Sequence, residues 1–374
     1  MLRFLTGGES HGKCLVAILE GMVAGVAVDE KEINSHLSRR QEGYGRGGRM
    51  TIEKDEAEIL SGVRFGKTIG GPIALVIPNK DFKINELPVV KRPRPGHADL
   101  VGAMKYGRTD VRDILERASA RETAARVAVG AVCRIFLKEF SVDILSHVVS
   151  IGGVTAETKG MDFISLKKQS WNSPMHCADK AAEKKMMARV DEAKLSKDTI
   201  GGIFEVVVTG VPVGLGSFVH YDRRLSAKLC AALLSIQAVK GAEMGMGFGV
   251  SRHLGKDVHD EIFHDKKNGF YRKTNKAGGF EGGVSNGENL VLRAATKPYA
   301  TLMSPMSSVD IGTKEKQAAT VERSDVTAVP ACGVVGEAMV AFELAQAFLE
   351  KFGGDSLKET MRNFEGYKKQ IEAF

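Results

Sequence analysis

Ser119-Ala120-Arg121-Glu122-Thr123-Ala124-Ala125-Arg126-Val127-Ala128-Val129-Gly130-Ala131-Val132-Cys133-Arg134-Ile135-Phe136 is the core of a helical window running from Asp110 to Phe140. One face of that window carries Ile114, Ala118, Arg121, Ala125, Ala128, Val132 and Ile135, an apolar stripe at helical spacing. So many neighbours are alanine or glycine that a second element can approach the backbone closely. The window therefore predicts a central helix. Arg117, Ser119, Arg121 and Arg126 make it too polar for a purely structural core helix.

Outward from this helix, short β-branched segments predict strands at Ile69–Ile77, Val142–Ile151, Phe204–Val213 and Leu290–Ala295. Further helical windows are Asp29–Arg40, Ala178–Leu195, Arg224–Lys240 and Gly333–Phe352. The regular strand–helix alternation of a doubly wound parallel sheet is missing. Phe248–Glu288, rich in glycine and histidine, reads as a long loop, functional or mobile.

The chain of 374 residues is 43% hydrophobic and 26% charged, enough apolar content for a substantial core. No run approaches the roughly 18 consecutive apolar residues of a membrane span, and the N-terminus lacks a leader-like apolar core; the expected compartment is the cytoplasm. Five dispersed cysteines without a C-x-x-C spacing argue against a disulfide framework or a structural zinc site. His253, His259 and His264 lack the spacing of a zinc helix, so no metal is expected.

The net charge of +7 points to an anionic partner, and the arginines say where. They concentrate in Arg39-Arg40-Gln41-Glu42-Gly43-Tyr44-Gly45-Arg46-Gly47-Gly48-Arg49 and in Lys91-Arg92-Pro93-Arg94-Pro95-Gly96-His97. Planar guanidinium forks on such loops suit phosphate and carboxylate groups. The first stretch matches G-x-G-x-x-G but follows a polar helix and precedes the strand-like Met50-Thr51-Ile52-Glu53. The dinucleotide fold needs strand, turn and helix, so a nicotinamide dehydrogenase is disfavoured. Nucleic-acid binding would interleave aromatics with the arginines, yet only Tyr44 is present. In the second stretch two prolines fix the backbone that presents Arg94 and His97. His97 beside arginines should gain its proton when an anion binds. His11 sits in the glycine-flanked turn Gly8-Glu9-Ser10-His11-Gly12, without the elbow of a serine nucleophile.

In chain order these motifs continue with Arg117-Ala118-Ser119-Ala120-Arg121-Glu122-Thr123, Ser235-Ile236-Gln237-Ala238-Val239-Lys240-Gly241, Gly282-Gly283, Lys297-Pro298 and Glu322-Arg323-Ser324-Asp325. The set resembles the chorismate synthase family along nearly the full chain. That resemblance implies a single α+β domain over residues 1–374, a β-α-β sandwich with helices between two antiparallel sheets, assembled as a homotetramer. It implies a lyase that converts 5-enolpyruvylshikimate 3-phosphate to chorismate by 1,4-elimination of phosphate, with reduced FMN bound and NADPH as a candidate reductant. By the family pattern Arg40, Arg46, Arg49, Arg94 and Arg121 bind substrate. Arg117, Ala118, Ser119, Gln237, Ala238, Gly282, Lys297, Pro298, Tyr299, Ala300, Thr301 and Arg323 hold the flavin. His11 would protonate the departing phosphate, His97 would protonate or stabilise the reduced flavin, and Asp325 would help the flavin N5 accept the substrate proton. Two departures stand out: Asp325-Val326 replaces the family's Asp-Pro, and Lys297-Pro298-Tyr299-Ala300-Thr301 replaces Lys-Pro-Ile-Pro-Thr.

Overall fold

The computed structural model describes residues 1–47, 53–266, 269–322 and 324–374. Its first sheet has four strands: β1 (Arg3–Gly7), β2 (Cys14–Glu20), β3 (Glu58–Ile59) and β4 (Ile73–Pro78), in the order β1-β2-β4-β3 with every pair antiparallel. The second has five: β5 (Asp143–Ile151), β6 (Val154–Thr155), β7 (Gly202–Thr209), β8 (Val239–Met244) and β9 (Leu290–Thr296), in the order β8-β9-β7-β5-β6, again antiparallel. Alternation sorts the faces. Leu15, Ala17 and Leu19 of β2 and Ile73, Leu75 and Ile77 of β4 point inward, while Val16 and Ile18 face out.

The helices are α1 (Glu30–Gln41), α2 (Asp99–Tyr106), α3 (Arg112–Ala118), α4 (Thr123–Lys138), α5 (Phe163–Trp171), α6 (Lys180–Leu195), α7 (Leu225–Leu234), α8 (Val329–Phe352) and α9 (Leu357–Glu372). Helix α4 is buried almost all round; it packs on β2 and β4, on α1, and along its length on α8. Helix α8 in turn packs on β5 and β7. Although its 24 residues are apolar enough to cross a membrane, α8 is mostly buried inside the protein.

The Asp110–Phe140 window is therefore not one helix. Ser119 adopts an extended backbone (φ −61°, ψ 141°) and its Oγ accepts from the Arg121 N–H at 3.3 Å, starting a single 3₁₀ turn at Ala120–Glu122 before α4 begins. A serine that caps the next turn competes with helix continuation. Arg224–Lys240 is likewise cut short: α7 stops at Leu234, Ala238 takes φ +71°, and Val239 joins the ladder with β9. The Phe248–Glu288 segment holds two hairpins, Ile262–Asp265 with Gly269–Arg272 and Phe280–Glu281 with Val284–Ser285.

The small residues of α4 do what their spacing predicts. A Cβ added at Gly130 would lie 2.3 Å from the Ala338 Cβ and 2.4 Å from its Cα, so the helices touch there backbone to backbone. Gly130→Ala is expected to lower unfolding free energy by about 1–3 kcal/mol, the usual cost of overpacking, despite the better helix propensity of alanine. An unchanged melting temperature would show that α4 and α8 separate at no cost.

Between α1, α4, α8 and β5 lies a buried ionic knot. Glu337 accepts from Arg39 at 2.9 and 3.0 Å, from Arg134 at 2.5 Å, and from the Ser146 N–H and Oγ at 2.7 and 2.8 Å. Burial alone would raise its carboxyl, but Arg39 and Arg134 outweigh that and hold it well below the carboxylate range. Burial, and next the Arg134 charge, push the neighbouring His36 down to about 3. Both groups bind fewer protons folded than unfolded, so stability is full above the unfolded histidine value of about 6.5. It is lost as pH falls from there toward 3, first through His36 and below about 4.3 through Glu337 as well. Denaturant titrations between pH 7 and 4 should show this decline, and His36→Asn should flatten its upper part.

Candidate functional site

The β1–β2 turn, the end of α1, the α3–α4 junction, the end of α7, the segment after β9 and the segment before α8 converge on one cavity of about 390 Å³. His11, Arg40, Arg46, Arg94, His97, Ser119, Arg121, Gln237, Tyr299, Ala300, Thr301 and Asp325 all line it. Residues up to 314 positions apart in the sequence, such as His11 and Asp325, thus share a single wall.

His11 is placed by glycine geometry and by α3. Gly8 has φ +101°, and a Cβ there would sit 2.3 Å from the Cys14 carbonyl oxygen, so only glycine turns the chain this tightly. The Ser10 N–H then donates to the Glu116 carbonyl at 2.9 Å, and the His11 N–H to Glu116 Oε2 at 2.9 Å. The imidazole Nδ1 lies 3.1 and 2.9 Å from the two Glu116 oxygens, and Nε2 lies 3.7 Å from Asp81 Oδ2. Burial would raise the Glu116 carboxyl, but its bonds to His11 and Arg112 hold it below the usual range.

His97 repeats the theme. Its Nδ1 is 2.5 Å from Asp99 Oδ1, and Asp99 also accepts from Arg94 Nε at 2.8 Å and Nη2 at 3.1 Å. Arg94 Nη1 reaches Thr301 Oγ1 at 2.8 Å. Despite complete burial, which would raise it, the bonds from His97 and Arg94 keep Asp99 ionised and well below its ordinary value. The imidazole thus faces a carboxylate as well as the arginines expected beside it. The proton belongs on Nδ1, toward Asp99, leaving Nε2 as the other ring nitrogen.

A third carboxylate, Asp55, pairs two of the predicted arginines: Arg40 Nη2 donates to its Oδ2 at 2.6 Å and Arg121 Nη1 to its Oδ1 at 2.5 Å. Arg121 Nε also donates to Asn79 at 2.9 Å, and Arg40 Nη1 to Thr123 at 3.3 Å. Burial opposes the Asp55 charge, yet the two guanidinium groups keep it below the normal range; burial and the neighbouring Arg121 and Arg46 charges lower Arg40, against the pull of Asp55. Even so, Arg40 Nε and Arg121 Nη2 are buried donors with no hydrogen-bond partner among the described residues. Buried donors left unpaired are costly. Glu53 Oε2 lies 4.0 Å from Arg121 Nη2, and both arginine side chains line the cavity.

The glycine loop closes on Asp325 instead of standing open. Gly47 N–H donates to Asp325 Oδ1 at 2.6 Å and Arg46 Nε lies 3.1 Å from Oδ2. Gly45, at φ +84°, packs where a Cβ would meet Val190 at 2.8 Å. Ile236, Ala328, Ala331, Cys332 and Val335 add apolar lining to the same cavity. Burial pushes the Cys332 thiol up to about 12, so it lines the wall without ionising. Burial and Asp325 also raise the Tyr299 phenol above its usual value.

Other sequence-predicted residues lie apart from the wall. Arg117 donates to the Thr6 and Gly8 carbonyls at 3.0 and 3.2 Å, and Lys297 Nζ to the Gly96 carbonyl at 2.6 Å, next to His97. Ala238 bonds Lys297 through the backbone at 2.9 Å, and Gly282 sits at φ +60° in the Phe280–Ser285 hairpin. Ala118 and Pro298 flank lining positions without lining it. Arg49 and Arg323 lie outside the described residues. Sequence reasoning missed Asp55, Glu116 and Lys83. Only Asp99 carried a signal, inside the Pro93–Asp99 turn. For FMN, Gln237 Oε1, a buried acceptor with no hydrogen-bond partner among the described residues, and the apolar lining fit a flat ring system with polar N–H edges.

Comparison with known proteins gives the family. The family model described as chorismate synthase matches residues 2–349. The chorismate synthase of Geobacter sulfurreducens is 54% identical over 100% of both chains, and that of Desulforamulus reducens 54% identical over 96% of both. A crystal structure of a chorismate synthase superposes with a TM-score of 0.84 at 44% identity, covering 100% of this chain and 99% of the other. A cavity of arginines and two carboxylate-held histidines, on a chain this similar throughout, places the protein in the chorismate synthase family.

Proposed function

We propose that the protein converts 5-enolpyruvylshikimate 3-phosphate to chorismate and phosphate by 1,4-elimination, with FMN bound in its reduced form. In this reaction a ring C–H bond and the C–O bond to phosphate break, a new C=C bond forms, and one proton and one phosphate leave. The observation that carries the reading is the convergence of Arg40, Arg46, Arg94 and Arg121 with His11 and His97 on one cavity. Each charge-assisted contact to a multiply anionic ligand contributes about 1.5–3 kcal/mol.

The Arg40 and Arg121 guanidinium groups, with Arg46 and Arg94, would bind the substrate's anionic groups. His11 holds a proton at Nε2 for the departing phosphate oxygen, and His97, fixed by Asp99, holds one on the flavin side. Ser119, Gln237 and the Lys297–Thr301 segment would hold FMN, with Arg323 of the family pattern. When bound, reduced FMN supplies transient electron density while the overall reaction stays redox-neutral. Asp325, its carboxylate held by Arg46 and Gly47, would assist the flavin's uptake of the substrate's proton.

The reading includes a single-domain homotetramer in the cytoplasm, with helices layered between the two sheets. Contacts of α4 with the first sheet and α8 with the second support that layering. The test is anaerobic: protein, chemically reduced FMN and the enolpyruvyl phosphate are mixed and the diene product followed by absorbance. Product is expected with reduced and not with oxidised FMN; the reverse, or none with either, overturns the reading. Substituting NADPH and oxidised FMN decides whether the chain draws its own reducing equivalents.

A further inference from the structure

His11 is tied to α3 more tightly than a loop histidine requires. Glu116, fully buried in its side chain, meets His11 three times, through the backbone N–H and through both oxygens on Nδ1. Behind it, Arg112 spans Glu116 Oε1 and Glu322 Oε1, both at 3.1 Å, and donates to the Pro88 carbonyl at 2.8 Å. Glu322 lies three residues before Asp325, so the chain of contacts joins His11 to the segment that carries the opposite side of the site. On the other flank, Asp81 faces Nε2 and is itself paired with Lys83 Nζ at 2.6 Å.

We propose that Glu116 is a positioning residue for His11: its carboxylate accepts the Nδ1 proton, fixes the tautomer that leaves Nε2 as the proton-transferring atom, and keeps the imidazolium form accessible. The assignment rests on the proposed function for its catalytic consequence but not for its geometry. A carboxylate behind an imidazole fixes ring orientation and favours the charged form. The other groups facing His11 do not replace it. Asp81 is shared with Lys83, whose positive charge opposes protonation, and the Arg112 charge lies behind Glu116 and is shared with Glu322. Glu116→Gln keeps the size and an acceptor oxygen yet removes the charge. Glu116→Asp keeps the charge at shorter reach.

The experiment titrates ¹⁵N-histidine-labelled, substrate-free protein by NMR, with His11→Asn identifying the His11 signals. In the unsubstituted protein the neutral ring is expected to be the Nδ1–H tautomer. In Glu116→Gln the His11 pKa should fall by at least about one unit, a tenfold change in the protonation equilibrium. kcat should fall at least tenfold with KM changed less than about threefold, and the kcat–pH profile should move to lower pH by the same shift. Glu116→Asp should restore part of both. An Nε2–H tautomer in the unsubstituted protein overturns the proposal without need of any variant. So does an unmoved titration accompanied by lost activity, which marks a merely structural role. If no chorismate forms at all, the proposed function fails while the tautomer and titration still decide the role of Glu116.

Discussion

His11→Ala is expected to lower turnover of the enolpyruvyl phosphate by about 10²- to 10⁴-fold with reduced FMN in excess, the range for a lost proton transfer. KM should change by less than about threefold, because His11 is no anchor for the substrate's carboxylates and acts on the phosphate only as its bond breaks. The fold should survive. The ring is partly exposed, and the Ser10 and His11 backbone bonds to Glu116 remain without it. A product assay at several pH values separates this from misplacement: the substituted enzyme should lose the pH dependence that the imidazole imposes. A drop smaller than tenfold would mean that phosphate leaves unaided or takes its proton from another donor, such as Lys83, which also lines the cavity. His97→Ala should also cost at least tenfold, and there Arg94 keeps Asp99 paired through two bonds.

What the sequence disclosed and what it hid follow from the same physics. Arginines set among glycines and prolines are conspicuous, because a guanidinium on an irregular loop has few structural uses: Arg40, Arg46 and Arg94 line the cavity, as does Arg121 from the helical window, while Arg117 lies apart from its wall on the Thr6 and Gly8 carbonyls. Their carboxylate partners were not conspicuous. Asp55 and Glu116 look like any surface acid until the chain brings α1, α3 and α4 together, since a carboxylate acquires its role only from tertiary neighbours. Three strands of the second sheet, β5, β7 and β9, were legible to within about four residues because β-branched runs are local signals, whereas the two-residue β6 and the strand β8 were not. The end of α7 was not, because pairing of Val239 with β9 overrides the helical propensity of Arg224–Lys240. The serine that breaks the long helical window is plain in hindsight: Ser119 caps the turn that swings Arg121 toward Asp55 and the cavity, so the break in the fold and the placement of the ligand are one event.

Arg121→Ala is expected to reduce kcat/KM by about 10- to 150-fold, the equivalent of one charge-assisted contact of about 1.5–3 kcal/mol. The reason is a division of labour within one guanidinium. Nη1 is bound to Asp55, Nε to Asn79, and buried Nη2 has no hydrogen-bond partner among the described residues. Asp55 and Asn79 hold the fork in place, Glu53 Oε2 lies 4.0 Å from Nη2, and a substrate anion in the cavity that Arg121 lines would add to this set. Loss of the side chain also costs stability, by less than the roughly 3–5 kcal/mol of a fully broken buried pair, because Asp55 keeps Arg40. Thermal melts with and without substrate separate the two effects: the melting temperature without ligand falls modestly, and the rise on adding the enolpyruvyl phosphate shrinks far more. Arg121→Lys is the sharper case. An ammonium cannot span Asp55, Asn79 and an anion in one plane, so the lysine variant should behave like alanine in kcat/KM while recovering part of the lost stability through Asp55. Near-normal kcat/KM in Arg121→Lys would show that bulk positive charge suffices, and the planar fork would lose its place in the binding of substrate.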